Sequence, residues 1–410
     1  MDSTFPIEQH KKYRGKLFTG LKVPMDSIDD LKVYYTPGVA DPCKLIAEEE
    51  QAAIAAGKAS GQRPNLETEA LYATTIKGNT VAVVSDGSAV LGLGNIGARA
   101  GIPVMEGKCS LFKKFANVDA FPICVDTQDV EEIVRVVKMI APIFGGINLE
   151  DISAPRCFEV ERRLREELDI PVFHDDQHGT AVICLAGLYN AMKVVGKQLE
   201  TAKIVISGAG AAGISIADLL MTAGATDVIL VDSKGIIAED RADMNDEKIL
   251  YAKKSNPRGV RGSLADAIHG ADVVIGVSKA GLITKEMVAS MANAGAGTGM
   301  NGDGRLGPGG PIVFAMANPT PEIMPNEAIE AGAAVCATGR SDFPNQLNNV
   351  LVFPGIFRGA LDNRVKVITI DMQIAAAKAL AALVANPTAE KIIPGVFEPG
   401  VSAEVAKVVR

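Results

Sequence analysis

"KIVISGAGAAGISIADLLMTAGATDVILVDSKG", from Lys203 to Gly235, decides the fold. It opens with a β-branched run, passes through Gly208-Ala209-Gly210-Ala211-Ala212-Gly213, continues as a run of small and apolar residues and closes a second β-branched run at Asp232. Three glycines at this spacing would by themselves fit any tight turn. Here a strand leads in, a helix leads out, and an acid ends the next strand about twenty residues on, as a dinucleotide fingerprint requires. The glycines let backbone amides approach a pyrophosphate at the helix N-terminus. The six residues 208–213 are therefore expected to hold a cofactor. Asp232 suits the ribose hydroxyls of NAD, whereas Ser233 and Lys234 offer a hydroxyl and a cation to the 2′-phosphate of NADP. The choice between NAD and NADP stays open.

Outward from this stretch, "ADVVIGVS", "PIVFAMANPTPE" and "AAVCATG" read as later strands of the same sheet, and "DMQIAAAKALAALVAN" as a C-terminal helix. Towards the N-terminus, "AFPICVDT", "GGINLEDI" and "IPVFHDD" read as strands separated by amphipathic helices. A crossover helix makes consecutive strands parallel, with their carboxyl ends on one edge of the sheet. One of these strands ends in Glu150-Asp151 and the next in Asp175-Asp176. Single strand-end acids are ordinarily solvated, but two pairs at matching ends converge on the crevice where open α/β sheets bind ligands. A hard divalent cation, magnesium or manganese, is the expected occupant. Smaller elements are a helix from Pro42 to Ala56, a hairpin turning at Asp86-Gly87, a helix from Glu106 to Phe115 and a long helix from His178.

The 410 residues are long for one core, so two domains are expected: 1–177, a smaller α/β domain with the catalytic and metal groups, and 178–410, a Rossmann-type doubly wound parallel sheet whose C-terminal helices can fold back on the first. A net charge of −8 argues against nucleic acid as a partner. The apolar runs are too short for a membrane span, and the N-terminus reads as no signal peptide. Six scattered cysteines without a C-x-x-C pair suggest reduced thiols in a cytoplasmic protein.

"YTPGVA", "VSDGSAVLGLGNIG", "AGIPVMEGK", "FPICVDT", "INLEDI", "HDDQHGTA", "VDSKGII", "ANPTPEI" and "LNNVLVFPG" follow one another from Tyr35 onward. Together they resemble the short, bacterial-type malic enzymes. The resemblance implies oxidative decarboxylation of L-malate to pyruvate and carbon dioxide with reduction of NAD or NADP, by a homodimer or higher homo-oligomer. It implies Glu150, Asp151 and Asp176 as metal ligands, Lys108 as base, Tyr35 as acid and Asp175 as a supporting acid. Asn318 would sit near substrate and nicotinamide, and Asn349 near substrate. An amino-acid dehydrogenase without metal, or a nucleotide sensor without catalysis, would be the alternatives. Three departures stand out. The arginine that longer relatives place in the "DG…LGLG" block to grip a carboxylate is absent, its stretch reading Ser88-Ala89-Val90. Residues 52–69 and 293–310 look inserted.

Overall fold

The computed structural model describes residues 4–90, 92–292 and 309–410. A first sheet contains β1 (Thr80–Ser85), β2 (Asp119–Cys124), β3 (Gly146–Leu149) and β4 (Val172–His174), all parallel, in the order β2-β1-β3-β4. Every residue of β1, "TVAVVS", is buried, the signature of a strand covered on both faces. The Val130–Ile140 helix is capped by Asp129 and turns Ile133, Val134 and Val137 into a core shared with Ile147, Leu149 and Leu164. The Arg156–Glu167 helix is the crossover between β3 and β4, and it brings Leu149 opposite His174. The two acid pairs that follow these residues therefore leave the same sheet edge side by side.

The second sheet holds β5 (Lys203–Ser207), β6 (Asp227–Asp232), β7 (Gly235–Ile236), β8 (Val273–Gly276), β9 (Ile312–Ala315) and β10 (Val335–Thr338), in the order β10-β9-β8-β5-β6-β7. β7 is antiparallel and the other strands are parallel. The chain goes from β5 to one side and later returns to the other. The switch point where such sheets bind ligands thus lies at the carboxyl ends of β5 and β8. The Phe353–Asp362 helix returns to the first sheet. Phe353 and Phe357 meet Phe112 at ring-centroid distances of 4.7 and 5.4 Å, and Phe357 lies 6.1 Å from Phe173. Burying such rings is worth several kcal/mol each, about 3–5 on truncation to alanine.

Some local expectations need correction. There is no hairpin at Asp86-Gly87: β1 is flanked by parallel strands on both sides, so no edge is left for Val90 to pair with it. Either side of residue 91 the chain instead turns at left-handed Gly87, Gly92 and Gly94. The Ala89 N–H bonds to Asp151 O at 2.9 Å. The helix expected at 42–56 runs Ala40–Ser60 and stops at left-handed Gly61, so half of the 52–69 insertion is helix. The helix expected at 106–115 runs Gly97–Ala116; Gly101 and Pro103, which read as breakers, are held inside it by packing. The long helix expected from near His178 runs Thr180–Val195 and is preceded by one π-helical turn over Asp175–Gly179. The 293–310 expectation falls, except for Gly309 and Gly310, outside the described residues. Among the described residues no helix is long and apolar enough to cross a membrane.

Candidate active site

Both sheets open on one cleft of about 1020 Å³, lined by Lys108, Glu150, Asp151 and Asp176 from the first and by Ala211, Ala212 and Asn318 from the second, with Asn349 and Phe353 from the C-terminal return. The walls touch where Gly92 faces Pro319: a Cβ on Gly92 would stand 3.0 Å from the proline Cδ.

On the acid side, Lys108 projects from the Gly97–Ala116 helix, its side chain 10 % exposed. Its ammonium bonds to Glu150 Oε1 at 2.9 Å and to Asp175 Oδ2, and lies 4.1 Å from the centroid of the Phe353 ring. Asn148, buried in β3, donates to Glu150 Oε2 at 2.9 Å. Asn349 donates to Asp175 Oδ2 at 3.0 Å. Asp151 adopts φ +53, a left-handed conformation that Asp tolerates better than most residues, and its N–H donates to Asp176 Oδ2 at 2.7 Å. His174 Nε2 lies 3.2 Å from that same oxygen.

The turn presenting Asp175 and Asp176 is wide: Thr180 N–H reaches back five residues to Asp175 O, the π-type geometry that recurs at functional sites. A Cβ at Gly179 would run into the Asp175 carboxylate, so only glycine fits there. Beneath the turn the buried Glu161 carboxylate accepts from His178 Nε2 at 2.8 Å and Gln177 Nε2 at 3.2 Å.

Burial, opposed by Lys108 and reinforced by the neighbouring acids, pushes Glu150 well above the usual carboxylate range; Asp175 is raised by burial against the pull of Lys108. Burial would raise Asp176 too, but His174, Lys108 and the Asp151 N–H outweigh it and lower its pKa. Burial would lower Lys108, yet Asp175, Glu150 and Asp176 overcome it and hold the ammonium above its ordinary value. These three acids therefore favour the protonated amine over the neutral one.

Does a divalent ion fit here? The donors are hard oxygens, burial together with neighbouring negative charge disfavours ionisation of Glu150 and Asp175, and Asp175 Oδ1 is buried without a hydrogen-bond partner. All three observations favour a hard cation. Among the described residues, no three acidic, histidine or cysteine side chains are already gathered as a ligand set, since Lys108 draws Glu150 and Asp175 while Asp151 N–H holds Asp176.

On the dinucleotide side, Gly208 has φ +120, and a Cβ on Gly213 would collide with the Gly208 carbonyl. The turn and the close helix–strand approach thus depend on these two glycines. The Ala211–Thr222 helix opens at Gly210, and Ala209 is buried in the turn. Asp232 ends β6, with Ser233 and Lys234 at the tip of the β6–β7 hairpin. Both Asp232 oxygens are occupied, by Arg241 at 2.9 and 3.2 Å and by Lys248 at 2.6 Å. Burial is outweighed by these cations, which keep its pKa low. Arg241 and Lys248 were missed in the sequence because they lie in the charge-mixed "AEDRADMNDEK", where a solvated loop was the simpler reading. Lys279, a cation lining the cleft beyond β8, was missed because a lone lysine in "GVSKAGL" carries no motif. Asn318 packs its amide against Gly339, where a Cβ would stand 2.6 Å from Nδ2.

Tyr35 is not brought to the cleft. It caps the short Ile28–Tyr34 helix, is 66 % exposed and is absent from the lining.

A dinucleotide-binding sheet facing a lysine-centred acid cluster across one cleft defines a nicotinamide-dependent oxidoreductase. Residues 15–165 match the family described as malic enzyme, N-terminal domain, and residues 177–410 match malic enzyme, NAD binding domain. An NAD-dependent malic enzyme of Geobacillus stearothermophilus is 54 % identical over 96 % of this chain and 76 % of its own. A bifunctional malic/malolactic enzyme of Bacillus subtilis is 53 % identical over 98 % and 91 %. The crystal structure of an NAD-dependent malic enzyme from Thermotoga maritima superposes with a TM-score of 0.88 at 44 % identity, covering 100 % of this chain and 99 % of that one. The chain belongs to the malic enzyme family.

Proposed function

We propose that the protein converts L-malate and NAD or NADP to pyruvate, carbon dioxide and reduced dinucleotide. The observation that carries this reading is Lys108, 2.9 Å from Glu150 in a cleft that the dinucleotide helix also lines. Glu150, Asp151 and Asp176 would hold magnesium or manganese, which supplies the positive charge that polarises the C2 oxygen and accepts electron density as carbon dioxide leaves.

Lys108 Nζ takes the C2 hydroxyl proton while the C2 hydride passes to the nicotinamide. Its proton is held by three acids in the free protein; once Glu150 and Asp176 are committed elsewhere, that hold weakens and a neutral amine becomes accessible. Asp175, fixed by Asn349, orients the ammonium rather than activating it. The C3–C4 bond then breaks, and C3 gains a proton. Thr180, Asn318, Asn349 and Lys279 are the lining groups available to the second carboxylate of malate in place of the missing arginine.

Tyr35 supplies the C3 proton from a second copy of the chain. This is supported by its exposure and by apolar side chains left in water on the helix that it caps, with Ile28 72 % and Val33 59 % exposed. Mixing Tyr35→Phe chains with Lys108→Ala chains should restore about a quarter of the sites in a dimer, because one heterodimer site regains both groups. No recovery would rule out the shared site. The scattered cysteines, without a C-x-x-C pair, fit a reducing cytoplasm.

Initial rates with L-malate, NAD or NADP, and manganese added or chelated test the reaction itself. Turnover that persists fully under chelation, or dinucleotide binding without malate oxidation, would overturn it.

A further inference from the structure

Two loops form the cofactor-side wall of the cleft: Val277–Ala280 after β8 and Met316–Thr320 after β9. Neither is regular structure, and both leave the sheet at the switch point. One buried side chain that the reaction does not use joins them. Glu322, 0 % exposed, accepts the Ser278 N–H on Oε1 at 2.7 Å and the Ala317 N–H on Oε2 at 3.0 Å. Its carboxylate fills the space beside Gly276, where a Cβ would overlap it. The first loop is further tied by Ser278 Oγ to Ser207 Oγ at 3.2 Å, and the second by Arg340 to Pro319 O at 3.1 Å. Asn318 lies between the Ala317 and Pro319 contacts.

An ionised carboxylate accepting two backbone N–H groups forms strong, charge-assisted bonds. Burying one without such donors would be costly. The arrangement therefore sets the separation of the two loops to the span of one carboxylate. We propose that Glu322 is a positioning residue for the nicotinamide end of the dinucleotide, setting the spacing of the two loops and so the placement of Asn318. The proposal rests on the reading of this cleft as the dinucleotide site.

Glu322→Gln tests it at constant volume. Whichever way the amide turns, one of the two N–H groups meets an NH₂ donor in place of an acceptor. Titration with NADH and NADPH by nicotinamide fluorescence, in a chain with no tryptophan, needs neither malate nor metal. The variant should weaken binding about tenfold, the loss expected for a charged hydrogen bond. It should also lower kcat roughly 10–100-fold, since small misplacements of reacting groups cost that much. Manganese binding should be unchanged.

Asn318→Ala combined with Glu322→Gln should be no slower than Asn318→Ala alone, because both act through one loop. A merely structural role would give additive losses and overturn the proposal, as would wild-type dinucleotide binding and kcat in Glu322→Gln. Should that variant fail to fold, Gly276→Ala, which presses on the carboxylate from the β8 side, must weaken dinucleotide binding in the same way or the proposal falls. If wild-type protein bound dinucleotide but did not oxidise malate, the proposed reaction would fail while this titration still gave its answer.

Discussion

The two sheet ends that share the cleft are built on opposite principles. The first presents charge: four carboxyl groups follow adjacent parallel strands, and those of Glu150, Asp175 and Asp176 are held by Lys108, Asn148, Asn349 and the Asp151 N–H. The second presents backbone: a glycine turn opens the Ala211–Thr222 helix towards the cleft, and its one strand-end acid, Asp232, is already covered by Arg241 and Lys248. Carboxylates gathered this closely and this deeply are costly to keep ionised, even beside Lys108. Amides at a helix start need no ion, so the second is complete before its ligand arrives. Substitutions should therefore act very differently on the two sides.

The largest effect belongs to the acid side. Asp176→Asn should reduce manganese-dependent malate turnover on the order of 10³-fold while dinucleotide binding stays near wild type. Full activity at saturating manganese would erase the contrast between the sheet ends. Lys108→Ala should lower kcat by roughly 10²–10⁴-fold, the range for loss of a general base. Partial recovery with added small amines would separate a lost base from a collapsed acid cluster.

On the dinucleotide side the change should be one of preference. Arg241→Ala frees one face of Asp232 and removes a cation that could meet a 2′-phosphate, so the ratio of kcat/KM for NADP over NAD should fall about tenfold. An unchanged ratio would mean that the hairpin end plays no part in choosing the cofactor.

The smallest effect lies away from both ends, at Asp119 where β2 begins. Burial would raise this carboxyl, but Lys113, Lys22 and Asn79 pull it down to about 2. A depressed folded-state value adds stability above the unfolded pKa of about 3.9, and that contribution is lost as pH falls through about 2. Asp119→Asn should therefore cost no more than about 1 kcal/mol at neutral pH, given solvent screening, and nothing below pH 2. Melting curves at the two pH values read this directly, and an equal loss at both would sink the electrostatic account.

Much of this architecture was legible because its signals are local. The strand–glycine–helix order at 203–232 and the strand–helix–strand order ending in Glu150-Asp151 and Asp175-Asp176 are periodicities that a chain carries whatever its neighbours do. The hairpin at Asp86-Gly87 was misread because a turn signal cannot tell whether the strand before it has a free edge. The Gly97–Ala116 helix was read too short because packing overrides the local cost of Gly101 and Pro103. Arg241, Lys248, Glu161 and Glu322 passed as ordinary charges, since only three-dimensional neighbours show what each one holds.

The sequence by itself determined which chemical groups exist and at which strand ends they emerge, because strand polarity and crossover handedness follow from local chain sterics. Tertiary structure alone decided that Lys108 sits among those acids with its proton held rather than loosened, and that Asp232 is already claimed by two cations. It also left Tyr35 in solvent. Burial and charge pairing depend on residues up to some hundreds of positions apart, as Asn349 on Asp175 shows, and no local pattern records them.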